Sequence, residues 1–388
     1  MAAERVLVAM SGGVDSSVAA ALLREQGYAL VGVTLHLWDA EGAHRVGRCC
    51  APEDREDARR TCDALSIPHY VIDERDAFRR SVVDPFVRAY CEGSTPSPCV
   101  ACNQSVKLGR LVALADALGC TRIATGHYAR LASGPSLLRG RDAAKDQSYF
   151  LYGVPVSVLA RLIFPLGEFT KEQTRREGRR LGVPNWDKRD SQELCFVPDG
   201  DVAGFIDRQR APGDRSGGGV IVDSEGRELG RHEGVHRFTI GQRRGLGLLA
   251  PARDGKPRYV LRIVPDIAQV VVGSEEELYG AGLEAAHVTW AGVPPREPFE
   301  AEVQIRHRHR AARARIEPTP TGFRAIFEVP QRAIAPGQAA VIYEGARVRG
   351  GGTIVAALPR REAGFRAGQA GGALASDGDS RCGPGMRT

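Results

Sequence analysis

The chain has 388 residues, more than one hydrophobic core usually organises, which predicts two or three domains. Its 53 Lys and Arg against 47 Asp and Glu give a net charge of +6 with 43% hydrophobic residues, an ordinary globular balance that does not by itself announce a nucleic-acid binder. No apolar run approaches the roughly 18–20 residues that span a bilayer, and the start reads as a strand rather than a signal peptide. Nine cysteines, an odd count in so long a chain, suit a reducing compartment, so the expected location is the cytoplasm. Only five of the 53 basic residues are Lys (Lys107, Lys145, Lys171, Lys188 and Lys256), a bias of genome composition that makes each Lys more interesting.

In chain order, apolar runs at 6–9, 30–35, 69–72 and 122–125 alternate with amphipathic stretches at 16–26, 54–65, 77–90 and 103–118. This is the pattern of an α/β parallel sheet with helices on both faces. Thr170-Lys171-Glu172-Gln173 has capping-box spacing and opens one more helix, which runs to Gly182. Beyond about residue 200, Gly/Pro turns separate short strands at 220–222, 259–264, 268–272, 301–305, 313–316, 324–329 and 339–343. These read as two small β-rich units with Pro294-Pro295 as a hinge between them. Residues 359–388 have almost no large apolar side chain and are expected to be disordered.

Ser11-Gly12-Gly13-Val14-Asp15-Ser16-Ser17 lies between the first strand and an Ala-rich helix. Adjacent glycines let backbone approach a ligand, and a helix N-terminus favours an anion. The loop lacks the spacing of ordinary phosphate loops and of dinucleotide folds. It resembles the pyrophosphate loop of enzymes that split ATP between the α and β phosphates and transfer AMP. Ala9, Met10, Ser11, Gly12, Gly13, Val14, Asp15 and Ser16 are the candidate ATP-binding residues, with Leu35 and Gly126 at strand ends where open sheets bind ligands. Such chemistry calls for Mg²⁺ with the nucleotide; Asp15 is the nearest carboxylate, either for that ion or for holding the loop.

Cys99 and Cys102 are three residues apart, just before the expected helix, where a thiolate is stabilised. Half a zinc site, a redox disulfide and two unrelated thiols all fit that pair. Cys195 lies in a polar loop, Cys49 and Cys50 are adjacent and awkward for one metal, and Cys382 is in the tail. Cys62, Cys91 and Cys120 read as small buried residues. Residues 305–310 read as a strand presenting Arg306, Arg308 and Arg310 on one face, either to track phosphates or as a charged edge. Arg243 and Arg244 would add to a basic face.

Seven ordered motifs then carry a resemblance. They are M-S-G-G-V-D-S-S-V, T-P-x-P-x-x-x-C-N, A-T-G-H-Y, K-D-Q-S-Y-F-L-Y, the pair Cys195-Phe196, G-Q-R-x-G-L-G and P-G-Q-A-A-V-x-Y. Together they resemble the tRNA-specific 2-thiouridylase family over about residues 4–358. The resemblance implies a pyrophosphate-loop adenylation and sulfur-transfer domain (1–200), a small β-rich domain (201–280) and a β-barrel contacting tRNA (281–358). It implies that uracil O2 of the wobble uridine is adenylated and that persulfide sulfur from a partner protein displaces AMP. Cys195 matches the persulfide carrier and Cys102 the nucleophile, with a transient Cys102–Cys195 disulfide as one outcome. Ser97, Pro98 and Cys99 match the target-base pocket; His127, Lys145, Asp146, Gln147, Arg306, His307 and Gln338 match tRNA contacts. The sequence departs from the family at Cys99, where many members carry an Asp assigned as a base. That leaves two routes open, a metal-free persulfide route and a [4Fe–4S] cluster held by Cys99, Cys102 and Cys195. The alternative is another pyrophosphate-loop adenylating enzyme with a different RNA or a small-molecule acceptor.

Overall fold

The computed structural model describes residues 3–39, 52–189, 194–197, 199–210, 218–248 and 255–360. Cys49 and Cys50, the stretch 190–193, Cys382 and nearly all of the 359–388 tail lie outside the described residues.

Near-continuous apolar strands want cover on both faces, and they form a five-stranded parallel sheet. Its order is His69–Asp73, Ala29–His36, Arg5–Ala9, Arg122–Ala124, Leu162–Ile163. The chain starts in the middle strand, winds one way, then returns to the other side. The crevice between Arg5–Ala9 and Arg122–Ala124 is therefore a topological switch point, where such sheets take ligands. Gly126 lies there, and a Cβ on it would come within 2.7 Å of the Asp15 and Ser16 backbone. The capping box at Thr170 is formed in full and opens helix Lys171–Arg180.

The second half is β-rich, as its turn-separated strands predict. Strands Tyr259–Val264, Gln269–Gly273, Gly219–Val222 and Glu228–His232 make a four-stranded sheet. The last sheet runs Tyr279–Trp290, Gly322–Arg332, Ala312–Thr319, Phe299–Gln304, Ala339–Glu344, Arg347–Leu358, and the first and last of these pair to close a six-stranded barrel. No helix among the described residues is long and apolar enough to cross a membrane.

The two ends of the chain are joined more closely than the sequence indicates. Hairpin strands Ala129–Ala132 and Ser136–Arg139, from the first half, extend the barrel sheet beside Arg347–Leu358. One apolar core holds Leu7, Val31, Leu111 and Tyr149 together with Val341 and Tyr343 of the barrel. Polar contacts reinforce the joint. Arg139 donates to Asp146 and Gln304 and stacks over the Tyr343 ring at 3.4 Å.

Four expectations need correction. Pro294-Pro295 is no hinge between units, for it connects Tyr279–Trp290 to Phe299–Gln304 within one barrel. The helices expected over 77–90 and 103–118 are each interrupted by a π turn, at Arg79–Val83 and Asn103–Lys107. The second helical stretch starts at Pro98, not 103, since proline suits a first helical turn, so Cys99 and Cys102 lie inside it. Residues 305–310 are a turn rather than a strand: Arg308 has a left-handed φ of +62°, and the His309 N–H donates to the Arg306 carbonyl at 3.1 Å.

The barrel meets the first domain where the Thr95 N–H donates to the Pro336 carbonyl at 2.8 Å. Gly337 beside it has φ +91°, and an added Cβ would lie 2.8 Å from the Thr95 carbonyl carbon. Gly337→Ala is expected to lower stability by about 1–3 kcal/mol, read as a lower denaturant midpoint at unchanged slope. An unaltered midpoint would mean that the contact does not constrain the joint.

Candidate active site

One cleft of roughly 810 Å³ lies over the switch point. Of the expected nucleotide residues, Ala9, Met10, Ser11, Gly13, Val14, Asp15, Ser16, Leu35 and Gly126 line it. Of those expected on the RNA side, Ser97, Pro98, Cys99, His127, Lys145, Gln147, His307 and Gln338 line the same cleft. Gly12, Asp146, Arg306, Cys102 and Cys195 do not line it.

Gly12 faces backward and explains the loop's shape. Its φ is +74°, and a Cβ would sit 1.9 Å from the Asp54 carbonyl oxygen, so no side chain fits. Its own carbonyl accepts from Asn185 Nδ2 at 2.9 Å and from Lys188 Nζ at 3.2 Å. Lys188 also pairs with Asp54 and Asp57, and the three side chains are only 9%, 4% and 10% exposed. Burial opposes the Lys188 charge, but the two carboxylates outweigh it and hold the ammonium above its ordinary value. Burial likewise opposes the Asp57 charge, and Lys188 and Arg60 overcome it and hold that carboxyl below the usual range. A second anchor fixes Asp15, whose Oδ1 accepts from Tyr128 Oη at 2.9 Å and Lys171 Nζ at 2.7 Å. The loop is closed on itself by Ser16 Oγ, which accepts from the Ser11 N–H and donates to the Gly13 carbonyl, each at 3.1 Å.

Sequence reasoning missed Asp54, Asp57, Lys107, Lys171 and Lys188 as site residues. The rarity of lysine was the available signal. Lys107, Lys145 and Lys188 line the cleft and Lys171 holds Asp15, leaving only Lys256 outside the region.

Cys102 belongs to an apolar cluster with Phe78, Phe86, Phe196 and Phe205, and Cys195 packs against the same cluster. Phe86, Leu194 and Val197 of that cluster also line the cleft, so the cluster that holds the two cysteines borders it. Cys102 is buried and Cys195 half-buried, whereas Cys99 is accessible from the cleft itself. The protein enclosing Cys99 still pushes its thiol above the ordinary value, with Lys107 acting in the opposite direction. No group of three or more His, Cys, Asp or Glu among the described residues is placed to hold a metal ion. Cys99, Cys102 and Cys195 do not converge, and an iron–sulfur cluster does not fit them: one thiol faces the cleft while another is sealed in apolar packing. Cys91 joins the same cluster as Cys102, while Cys62 and Cys120 are buried elsewhere, and burial pushes the Cys62 thiol up to about 12.

His127 stands in the cleft wall, its Nδ1 2.8 Å from Thr125 Oγ1. Enclosure, helped by Lys107, pushes it down to about 3, so the imidazole is neutral. Asp146 turns away from the cleft. Its oxygens accept from the Gly140 and Ser148 N–H groups, Ser148 Oγ and Arg139, which fixes the neighbouring Lys145 and Gln147. Gln147 Oε1 in turn accepts from the Tyr128 N–H at 3.0 Å. On the barrel side, Gln338 Nε2 donates to the Thr95 carbonyl at 2.8 Å, and Arg306 Nη1 to the Arg332 carbonyl at 3.1 Å. The His307 ring lies 4.4 Å from that of Phe150.

Comparison with known proteins gives consistent matches along the chain. Residues 4–199 match the tRNA methyl transferase HUP domain, 208–274 the tRNA methyl transferase PRC-barrel domain, and 281–354 the aminomethyltransferase β-barrel domain. A tRNA-specific 2-thiouridylase MnmA of Sorangium cellulosum is 52% identical over 91% of this chain and 93% of its own. The protein of the same name from Magnetococcus marinus is 48% identical over 91% and 99%. Among solved structures, a 4-thiouridine synthetase–RNA complex with bound ATP matches with 15% identity and a TM-score of 0.31, over 53% of this chain and 50% of that one.

Lys188→Ala removes the buried ammonium that Asp54 and Asp57 share, with Arg60 still beside Asp57. It is expected to cost about 3–5 kcal/mol, read in denaturant unfolding, and to weaken ATP binding. Unchanged stability would contradict the clamp. Histidines 69, 127, 232, 236, 307 and 309 are all shifted downward, chiefly by burial. The unfolded chain therefore binds protons near the ordinary histidine value that the folded chain refuses. Stability should be fully present above that value and fall as pH drops from about 7 to about 5, read as a falling denaturant midpoint.

Proposed function

The chain belongs to the tRNA-specific 2-thiouridylase family, and on that premise we propose that it uses ATP to replace O2 of the wobble uridine of tRNA with sulfur. The observation that carries this reading is one cleft bordered together by a glycine loop suited to pyrophosphate, barrel residues and the apolar cluster that holds two cysteines. In domain terms, residues 1–200 adenylate and transfer sulfur, 201–280 form a small β-rich module, and 281–358 hold the RNA.

A carbonyl oxygen is a poor leaving group. Attack of uracil O2 on the α-phosphorus of ATP expels pyrophosphate and turns that oxygen into part of AMP, which a sulfur nucleophile can displace. The switch-point loop cradles the pyrophosphate through Ser11, Gly13 and Ser16, with Leu35 and Gly126 beside the nucleoside. Magnesium arriving with ATP would be held by Asp15 together with phosphate oxygens, where it would neutralise charge on the departing pyrophosphate. The base must leave its stack to reach the cleft. Ser97, Pro98 and Cys99 would line its pocket. Neutral His127 is suited to hydrogen-bond the base, not to serve as a cationic acid. Cys99 replaces the family's Asp with a thiol held above its ordinary value, a weak substitute for a carboxylate base.

Sulfur enters as a persulfide on Cys195, delivered by a sulfur-donor protein. Cys102 attacks the Cys195 sulfur, forming the Cys102–Cys195 bond and releasing sulfide. That sulfide adds at C2 and displaces AMP. That both cysteines pack in one apolar cluster supports this pairing. On the RNA side, Lys145, Gln147, Arg306, His307 and Gln338 contact the tRNA, while Asp146 acts as the bracket that positions its two neighbours. The proposed location is the cytoplasm. A small-molecule acceptor is disfavoured, since it needs neither a barrel wall nor paired thiols.

The reading is tested by incubating the protein with ATP, unmodified tRNA and a persulfide donor while following pyrophosphate and nucleoside mass. Pyrophosphate release that depends on tRNA, with a gain of sulfur in place of oxygen, is expected; release without tRNA dependence would refute it. Cys102→Ser and Cys195→Ser are each expected to abolish sulfur incorporation from the persulfide donor while leaving ATP binding intact. Wild-type incorporation by either variant would remove that residue from the relay.

A further inference from the structure

Arg308 is the one member of the expected arginine row that the fold aims into the cleft. Arg306 is half-buried and drawn to the Arg332 carbonyl, and neither Arg306 nor Arg310 lines the cavity. Arg308 lines it, is exposed, and among the described residues its guanidinium has no hydrogen bond or ion pair. Its backbone is also strained. A φ of +62° is uncommon for any residue with a Cβ and costs of order a side-chain contact, so it persists only where the surroundings impose it. They do so from two sides. Gln304 Nε2 and the His309 N–H both donate to the Arg306 carbonyl, at 3.2 and 3.1 Å, which closes the turn within the barrel. His307 packs on Phe150 of the first domain, which fixes the turn against the opposite wall.

A guanidinium held on a strained, doubly fixed turn, facing a cavity and unpaired among the described residues, is built for a ligand with a planar pair of oxygen acceptors. We propose that Arg308 binds a phosphodiester of the RNA strand next to the target nucleotide, and so sets how far the strand enters the cleft. The ligand chemistry is a phosphate, and two sources share the cleft. The strand is favoured because Arg308 comes from the barrel, while the glycine loop that suits the nucleotide phosphates belongs to the other domain. This inference rests on the tRNA reading above and deepens it, naming a positioning contact that acts on RNA phosphate and not on the base.

The test uses the full-length protein with Arg308→Ala, Arg308→Lys and Arg308→Gly, measuring equilibrium tRNA binding against salt, KM for each substrate, and thermal midpoint. For Arg308→Ala, tRNA affinity should fall about tenfold, with KM for ATP unchanged. The slope of log affinity against log salt should become shallower by about 0.7, the loss of one single-strand phosphate contact. Arg308→Lys should recover part of the affinity. Arg308→Gly should bind tRNA as poorly as the Ala variant while its thermal midpoint rises, because glycine accepts the left-handed turn without strain. Unchanged affinity and salt slope would overturn the proposal, and so would a rise in KM for ATP alone, which would assign the guanidinium to the nucleotide. The salt slope needs no turnover, so a wild-type protein that binds tRNA but does not thiolate it would refute the function and leave this contact still measurable.

Discussion

The buried clamp on the Gly12 carbonyl is the constraint on which the rest of the site depends. An anion loop works only if its backbone is open toward the ligand, and an unsupported glycine pair would sample many conformations. Here Lys188 and Asn185 hold the Gly12 carbonyl from behind, and Asp54 and Asp57 hold Lys188. The arrangement joins the loop, helix Pro52–Ala64 and the stretch carrying Asn185 and Lys188 in one polar unit. The loop that faces the cleft is thus supported from two distant parts of the chain.

A second constraint is the fusion of the barrel to the first domain. Because strands Ala129–Ala132 and Ser136–Arg139 extend the barrel sheet, and Val341 and Tyr343 pack in the same core as Leu7, the far wall of the cleft is fixed relative to the loop. Chemistry that brings an RNA base, an α-phosphorus and a sulfur atom together needs that fixed distance. The π turns on either side of Cys102 fit the same picture. Asn103 opens one of them and donates from Nδ2 to the Phe150 carbonyl, tying the Cys102 helix to the helix that supports His307.

Much of this was legible in the sequence because it rests on local signals. Apolar runs located the parallel strands, the Thr170 capping box located its helix, and the glycine string located the loop. What was not legible depended on contacts between distant residues. No periodicity reveals that Asp54 and Asp57 face Lys188 from 134 and 131 residues away, although the scarcity of lysine pointed toward it. Alternation of Arg and His over 305–310 mimics a strand, and only tertiary packing imposes the left-handed turn at Arg308. The spacing of Cys99 and Cys102 allowed shared ligation, a disulfide or two unrelated thiols. The fold sends one thiol to the cleft and the other into the phenylalanine cluster, a choice among readings that spacing alone left open.

The central claim is that activation and sulfur transfer occur on the same carbonyl in one cleft. It is tested most directly with tRNA carrying heavy-isotope oxygen at O2 of the wobble uridine, by weighing the AMP released during thiolation. The account predicts that the heavy oxygen appears in AMP and is absent from the thiolated nucleoside. Unlabelled AMP accompanying full sulfur incorporation would contradict it.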